Sequence, residues 1–79
     1  MKKIKFKVST WDSGRELMNK LSKVFKTNIE EKDADLEVSN NEFTVRFHPD
    51  DRGFSFISCK IMKESRLDEL NKIFEQFKS

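Results

Sequence analysis

Between Ala34 and Phe56 the chain alternates apolar and polar residues, breaks once at Asn40-Asn41, resumes, and then loses its phase. Side chains of a strand repeat with period two, so such a run specifies a sheet with one apolar face. Asn tolerates the positive φ of a two-residue hairpin turn, which makes Asn40-Asn41 the predicted reversal. Pairing Ser39 with Glu42 sets Val38 against Phe43, Leu36 against Val45 and Ala34 against Phe47. Pairing His48 with Gly53 across Pro49-Asp50-Asp51-Arg52 then sets Phe47 against Phe54 and Val45 against Phe56. All of these apolar residues fall on one face. At Phe56-Ile57 the phase changes, and Ile57, Cys59 and Ile61 fall on the other.

The flanks complete the order. Lys3 to Ser9 alternates lysine with Ile4, Phe6 and Val8, which reads as a first strand with its lysines outward. Ser13-Gly14-Arg15-Glu16 has the spacing of a capping box, and Leu17, Met18, Leu21, Val24 and Phe25 give residues 14–27 an apolar stripe at helical period. An acidic loop through Asp33 leads into the hairpins. Ser65-Arg66-Leu67-Asp68 opens a last helix that buries Leu67, Leu70, Ile73, Phe74 and Phe77. The expected fold is α+β, one domain over residues 1–79, in the order β-α-β-β-β-α. It is a two-layer sandwich, with two helices on one face of a four-stranded mixed sheet. Helix 1 is expected to return the chain so that strand 1 runs parallel to strand 2. The pattern leaves open whether strand 1 lies beside strand 2 or strand 4.

Composition bounds the function. The chain of 79 residues is 38% charged and 35% apolar, but eight Phe supply core volume, and their periodic placement argues against disorder. Lys5 and Lys7 interrupt the apolar run a signal peptide needs after Met1-Lys2-Lys3, and no stretch approaches a membrane span of roughly 20 residues. One cysteine forms no internal disulfide, which agrees with a cytoplasmic location. Net charge is +2 but unevenly spread: residues 1–26 carry +6, residues 27–51 carry −6 and residues 52–79 carry +2. Two solvated surfaces, or a bipolar molecule that steers a partner of opposite charge, both fit this distribution.

Catalytic constellations are scarce. The one thiol and one imidazole are Cys59 and His48, which the predicted register separates by roughly 20 Å. His48, Asp50 and Asp51 are adjacent, yet a zinc or iron site needs more imidazole or thiolate than the chain holds. Only Gly14 and Gly53 occur, so there is no glycine-rich phosphate cradle, and no cofactor or metal is expected. The chain reads as a non-enzyme.

The first functional expectation is a small protein-binding regulator or inhibitor that occupies a partner protein's surface. Its contact residues would be Trp11, Ile57, Cys59 and Ile61, rimmed by Lys3, Lys5 and Lys7. That reading needs the Ile57 stripe to be exposed; a β-bulge at Phe56-Ile57 would return it to the core. Across a two-fold axis the same stripe would make a homodimer. An edge strand could also recruit another chain, with the strand 1 lysines guarding against indiscriminate pairing. The alternative is a nucleic-acid-binding domain using Lys3, Lys5 and Lys7 with Lys20, Lys23 and Lys26. Against it, the predicted outward face carries acids and no exposed aromatic on which a base could stack.

Overall fold

Asn40 closes the central hairpin with its side chain. The computed structural model describes residues 2–49 and 55–78, and strands β3 (Asp35–Ser39) and β4 (Phe43–Pro49) meet at this turn. Asn40 Oδ1 accepts the N–H groups of Glu42 (2.8 Å) and Phe43 (3.0 Å), while its own N–H donates to the Phe43 carbonyl (2.9 Å). Neither Asn40 nor Asn41 has positive φ; among the described residues, Lys26 and Asp33 are the non-glycine residues that do. Ser39 therefore pairs with Thr44, not Glu42, and Leu36 with Phe47. A shift of two keeps every side chain on its expected face, so Val38, Phe43, Val45 and Phe47 are buried as the alternation requires. Ala34 is the exception: it lies outside β3 and is exposed.

The next pairing slips by an odd number, with larger consequences. In β5 (Ser55–Ile61), Ile57 pairs with Phe47, Cys59 with Val45 and Ile61 with Phe43. An odd slip exchanges the faces, so Ile57, Cys59 and Ile61 enter the core and Phe56 turns outward opposite His48. No bulge is involved, because residues 55–61 pair one to one with β4. The expected His48–Gly53 pair is replaced by His48–Phe56, and Gly53 and Phe54 lie outside the described residues. Burying one such apolar side chain is worth about 1.5–3 kcal/mol, so the register that seats three of them on β5 prevails.

The sheet has five strands, not four, in the order β1-β5-β4-β3-β2. The acidic loop contributes the fifth as β2 (Glu30–Lys32), joined to β3 by a tight Asp33-Ala34 turn in which Asp33 takes φ 57°. Strand β1 (Lys2–Val8) pairs with β5, Ile4 opposite Cys59 and Phe6 opposite Ile57. Every neighbouring pair is antiparallel, so the sheet is not mixed. Consequently β1 runs antiparallel to β3, the strand expected to be its parallel partner; it shares its direction with β2, at the opposite edge.

Helix α1 (Trp11–Phe25) crosses between those edges and starts earlier than the Ser13 signal suggested. Thr10 is the N-cap, its hydroxyl accepting the Ser13 N–H at 3.0 Å, and Asp12 sits in the first turn. The helix buries Leu17, Met18 and Leu21, whereas Val24 remains exposed. A 3-10 turn (Glu64–Arg66) precedes α2 (Leu67–Glu75), whose start has no side-chain cap, contrary to the Ser65 expectation. Instead Arg66 Nε reaches Glu42 Oε2 at the hairpin tip (3.0 Å), and Lys63 Nζ joins it at 3.1 Å. Leu70, Ile73 and Phe74 pack beneath, with Phe74 5.0 Å from the Phe6 ring. No helix among the described residues is long and apolar enough to cross a membrane.

Gly14 is where α1 comes closest to the sheet. A Cβ on Gly14 would lie 2.7 Å from Cδ1 of Phe47 and closer still to two further ring atoms. Alanine normally stabilises a helix interior by about 1 kcal/mol relative to glycine. Here overlap with a fully buried ring reverses the sign, and Gly14→Ala is expected to destabilise the fold by about 1–3 kcal/mol, read as a lower urea midpoint.

Candidate functional site

The helices cover one side of the sheet and leave the other open. On the open side the register lays the outward side chains in three rows. One row runs Lys3, Lys60, Thr44, Ser39; the next runs Lys5, Ser58, Arg46, Glu37, Glu30. In the third, Lys7, Phe56 and His48 lead to Asp35 and Lys32. An open groove of about 490 Å³ runs from β1 across β5 and β4, with Lys3, Lys5, Lys60, Ser58, Thr44 and Arg46 in its lining and Glu37 of β3 beside them.

Charge divides this face in two. In the β2/β3 half, Glu37 is only 8% exposed and receives Lys32 Nζ and Arg46 Nη2, both at 2.9 Å. The Lys32 hydrogen bond, against desolvation and with help from Arg46, holds the Glu37 carboxyl below the usual glutamate range. Asp35 faces His48 Nδ1 at 2.6 Å and Arg46 Nη1 at 3.7 Å. This half is satisfied internally.

The β1/β5 half is not. No carboxylate of the described residues lies within ion-pair distance of Lys3, Lys5 or Lys60. Lys3 and Lys60 stand directly opposite each other, a like-charge pair that costs stability in an antiparallel ladder. Lys5 Nζ lies 5.0 Å above the Phe56 ring. The arrangement concentrates positive charge around a floor that carries the Ser58 and Thr44 hydroxyls.

The structure disperses the residues expected to act together. Ile57, Cys59 and Ile61 are 0%, 3% and 1% exposed, so they line the core and not an accessible stripe. Trp11 is 49% exposed at the start of α1, with the Arg15 guanidinium 4.7 Å from its ring. It borders a separate cleft of about 150 Å³ whose other walls include Glu31, Asp33 and Asp35. Lys3, Lys5 and Lys7 point outward from β1 as the alternation predicts. Lys20, Lys23 and Lys26 belong to the helical layer; Lys20 donates to Gln76 Oε1 at 2.6 Å and Lys26 caps α1. The two lysine groups therefore form no single basic face. Lys60 and Phe56, by contrast, escaped sequence reasoning. Their signal was the Ile57-Ser58-Cys59-Lys60-Ile61 alternation, which places Lys60 opposite in sense to the isoleucines once Ile57 is inward.

Cys59 and His48 form no dyad. They stand three ladder positions apart, roughly 10 Å along the strands and closer than first expected, but on opposite faces of the sheet. Burial pushes the Cys59 thiol up to about 12, far from a reactive thiolate. Among the described residues, no three His, Cys, Asp or Glu side chains gather as metal ligands, and Asp50 and Asp51 lie outside those residues.

Two outcomes check this geometry. Cys59 is expected to resist alkylation at pH 8 until denaturant unfolds the chain, followed by the mass increment of a thiol reagent. Glu37→Gln is expected to lower stability at neutral pH. Because the folded carboxyl is held below 4.5, its contribution is complete above that value and is lost as pH falls through the lowered one. The gap between the two proteins in urea denaturation therefore closes on acidification. No family model matches the chain, and no curated protein and no solved structure matches it, so the chemistry of the open face carries the functional reading.

Proposed function

We propose that this protein is a small, non-enzymatic, cytoplasmic regulator or inhibitor that binds a partner protein by covering an acidic surface of it with the basic half of its open sheet face. The observation that carries this reading is the cluster of Lys3, Lys5 and Lys60 around the Ser58 groove, none of them within ion-pair distance of a carboxylate of the described residues, on the side no helix covers. Retaining an opposed Lys3–Lys60 pair is a local cost that an anionic partner would relieve. A free, buried Cys59 accords with a reducing compartment.

A protein surface fits this face better than a uniform polyanion. Glu37 lines the same groove as these lysines, and Asp35 stands two residues from it on β3. Such a bipolar plane matches a partner of mixed charge, whereas a phosphate backbone would meet repulsion on one side. The second reading, single-stranded nucleic acid, draws on Phe56, an aromatic on the open face beside the lysines. It is weakened by the separation of Lys20, Lys23 and Lys26 onto the helical layer.

Reversing charge at Lys5 and Lys60 together tests the reading. Lys5→Glu with Lys60→Glu turns the opposed Lys3–Lys60 pair into an attractive one, so the fold should persist by circular dichroism. In a nuclease-treated pull-down from native lysate, the wild type is expected to retain a stoichiometric protein that the variant loses. Measured with that purified protein, the affinity falls about tenfold or more, and added salt weakens the wild type most. Undiminished capture by the variant would falsify the proposal. Partners that vanish with nuclease would transfer the groove to nucleic acid.

A further inference from the structure

Strand β1 is an edge of the sheet, and most of its outer side is uncovered. Its one described outer partner is the bridge from Val8 to Lys78, at its C-terminal end. Along Lys2 to Phe6 no other described strand pairs with this side, so backbone N–H and C=O groups in the plane of the sheet are open to a further strand. Ile4 and Phe6, inward on this strand, are only half-buried although they border the core. The apolar layer is therefore incomplete at this edge.

We infer that β1 is a docking edge: an extended segment of the partner protein adds to it as a sixth strand, placing acidic residues beside Lys3 and Lys5 and apolar residues beside Ile4 and Phe6. This deepens the proposed function and rests on it, since the same lysines supply the charge. Backbone pairing gives such a complex its affinity, and the alternation of the added strand gives it specificity. An added strand covers Ile4 and Phe6 on the helical side while its carboxylates reach the open-face lysines. The required ligand thus alternates acid with apolar residue, in phase with Lys3-Ile4-Lys5-Phe6.

The usual role of edge lysines is to prevent pairing, and here they select the partner. Inward-pointing charges are one device that blocks pairing outright. Lys3 and Lys5 point outward and leave the inner row apolar. Two copies of β1 pairing with each other would bring lysine against lysine, a repulsion that an acidic strand replaces with attraction. Self-association through this edge is disfavoured by the same residues that favour the proposed ligand.

The test uses two synthetic nine-residue peptides of one composition. In one, Glu alternates with Val; in the other, the Glu residues are grouped together. The full-length protein is expected to bind the alternating peptide at least tenfold more tightly by fluorescence anisotropy. Amide hydrogen exchange is expected to slow at alternate residues of β1, and Lys5→Glu to weaken binding. Equal affinity for both peptides, without β1 protection but with loss in the Lys5 and Lys60 charge-reversal variant, would overturn strand addition while supporting the basic face. Binding of neither peptide, together with undiminished lysate capture by that variant, would overturn both. Binding of a single-stranded oligonucleotide in place of either peptide would also overturn both, in favour of nucleic acid.

Discussion

Phe47 ties the two layers together. Its ring meets the backbone of α1 at Gly14 on one side, while its strand neighbours are Leu36 and Ile57. A bulkier residue at position 14 would lift the helix, and a different register on β5 would leave Phe47 without Ile57. The helix's height above the sheet and the strand register are thus set by one aromatic side chain. Interiors packed like crystals transmit such a constraint to everything resting on it. Here that includes the outward-facing grid, because a β5 displaced by one residue would present Cys59 and one isoleucine where Lys60 and Ser58 now stand.

The parity of the β4–β5 ladder separates what could be read in the sequence from what could not. Alternation in β3 and β4 located their inward faces, and a two-residue error at Asn40 left those faces unchanged. The same kind of inference failed beyond Pro49, because the length of the following connection decides whether Phe56 or Ile57 turns inward. Local preference favoured a tight turn; the burial of Ile57, Cys59 and Ile61 decided otherwise. The strand at Glu30–Lys32 was illegible for another reason: it has no apolar alternation and is held by pairing and by Lys32 with Glu37. The lysines of β1 were legible as outward-facing, but their association with Lys60 and their separation from Lys20 were not. Both depend on which strand β1 joins, a long-range choice that local periodicity does not encode.

Uneven charge along the chain has become uneven charge across one plane. The basic N-terminal strand and the acidic middle segment end at opposite edges of the sheet, with Arg46 as the seam between them. Because β1 and β2 are separated by three strands, their charges do not neutralise one another at contact distance. The surface keeps a dipole that shorter topologies would have cancelled.

The hairpin tip governs the far end of the chain as well. Helix α2 has nine residues and no side-chain cap, below the roughly 12–15 residues at which an isolated helix becomes even marginal in water. It depends on Glu42, which also accepts the Met62 and Lys63 backbone N–H groups through its carbonyl while its carboxylate holds Arg66. Its order is conditional on a completed β3–β4 hairpin and on Phe6 beneath Phe74. The C-terminal helix is therefore coupled to the meander: whatever loosens the β3–β4 tip also removes the contacts that hold the start of α2 in place.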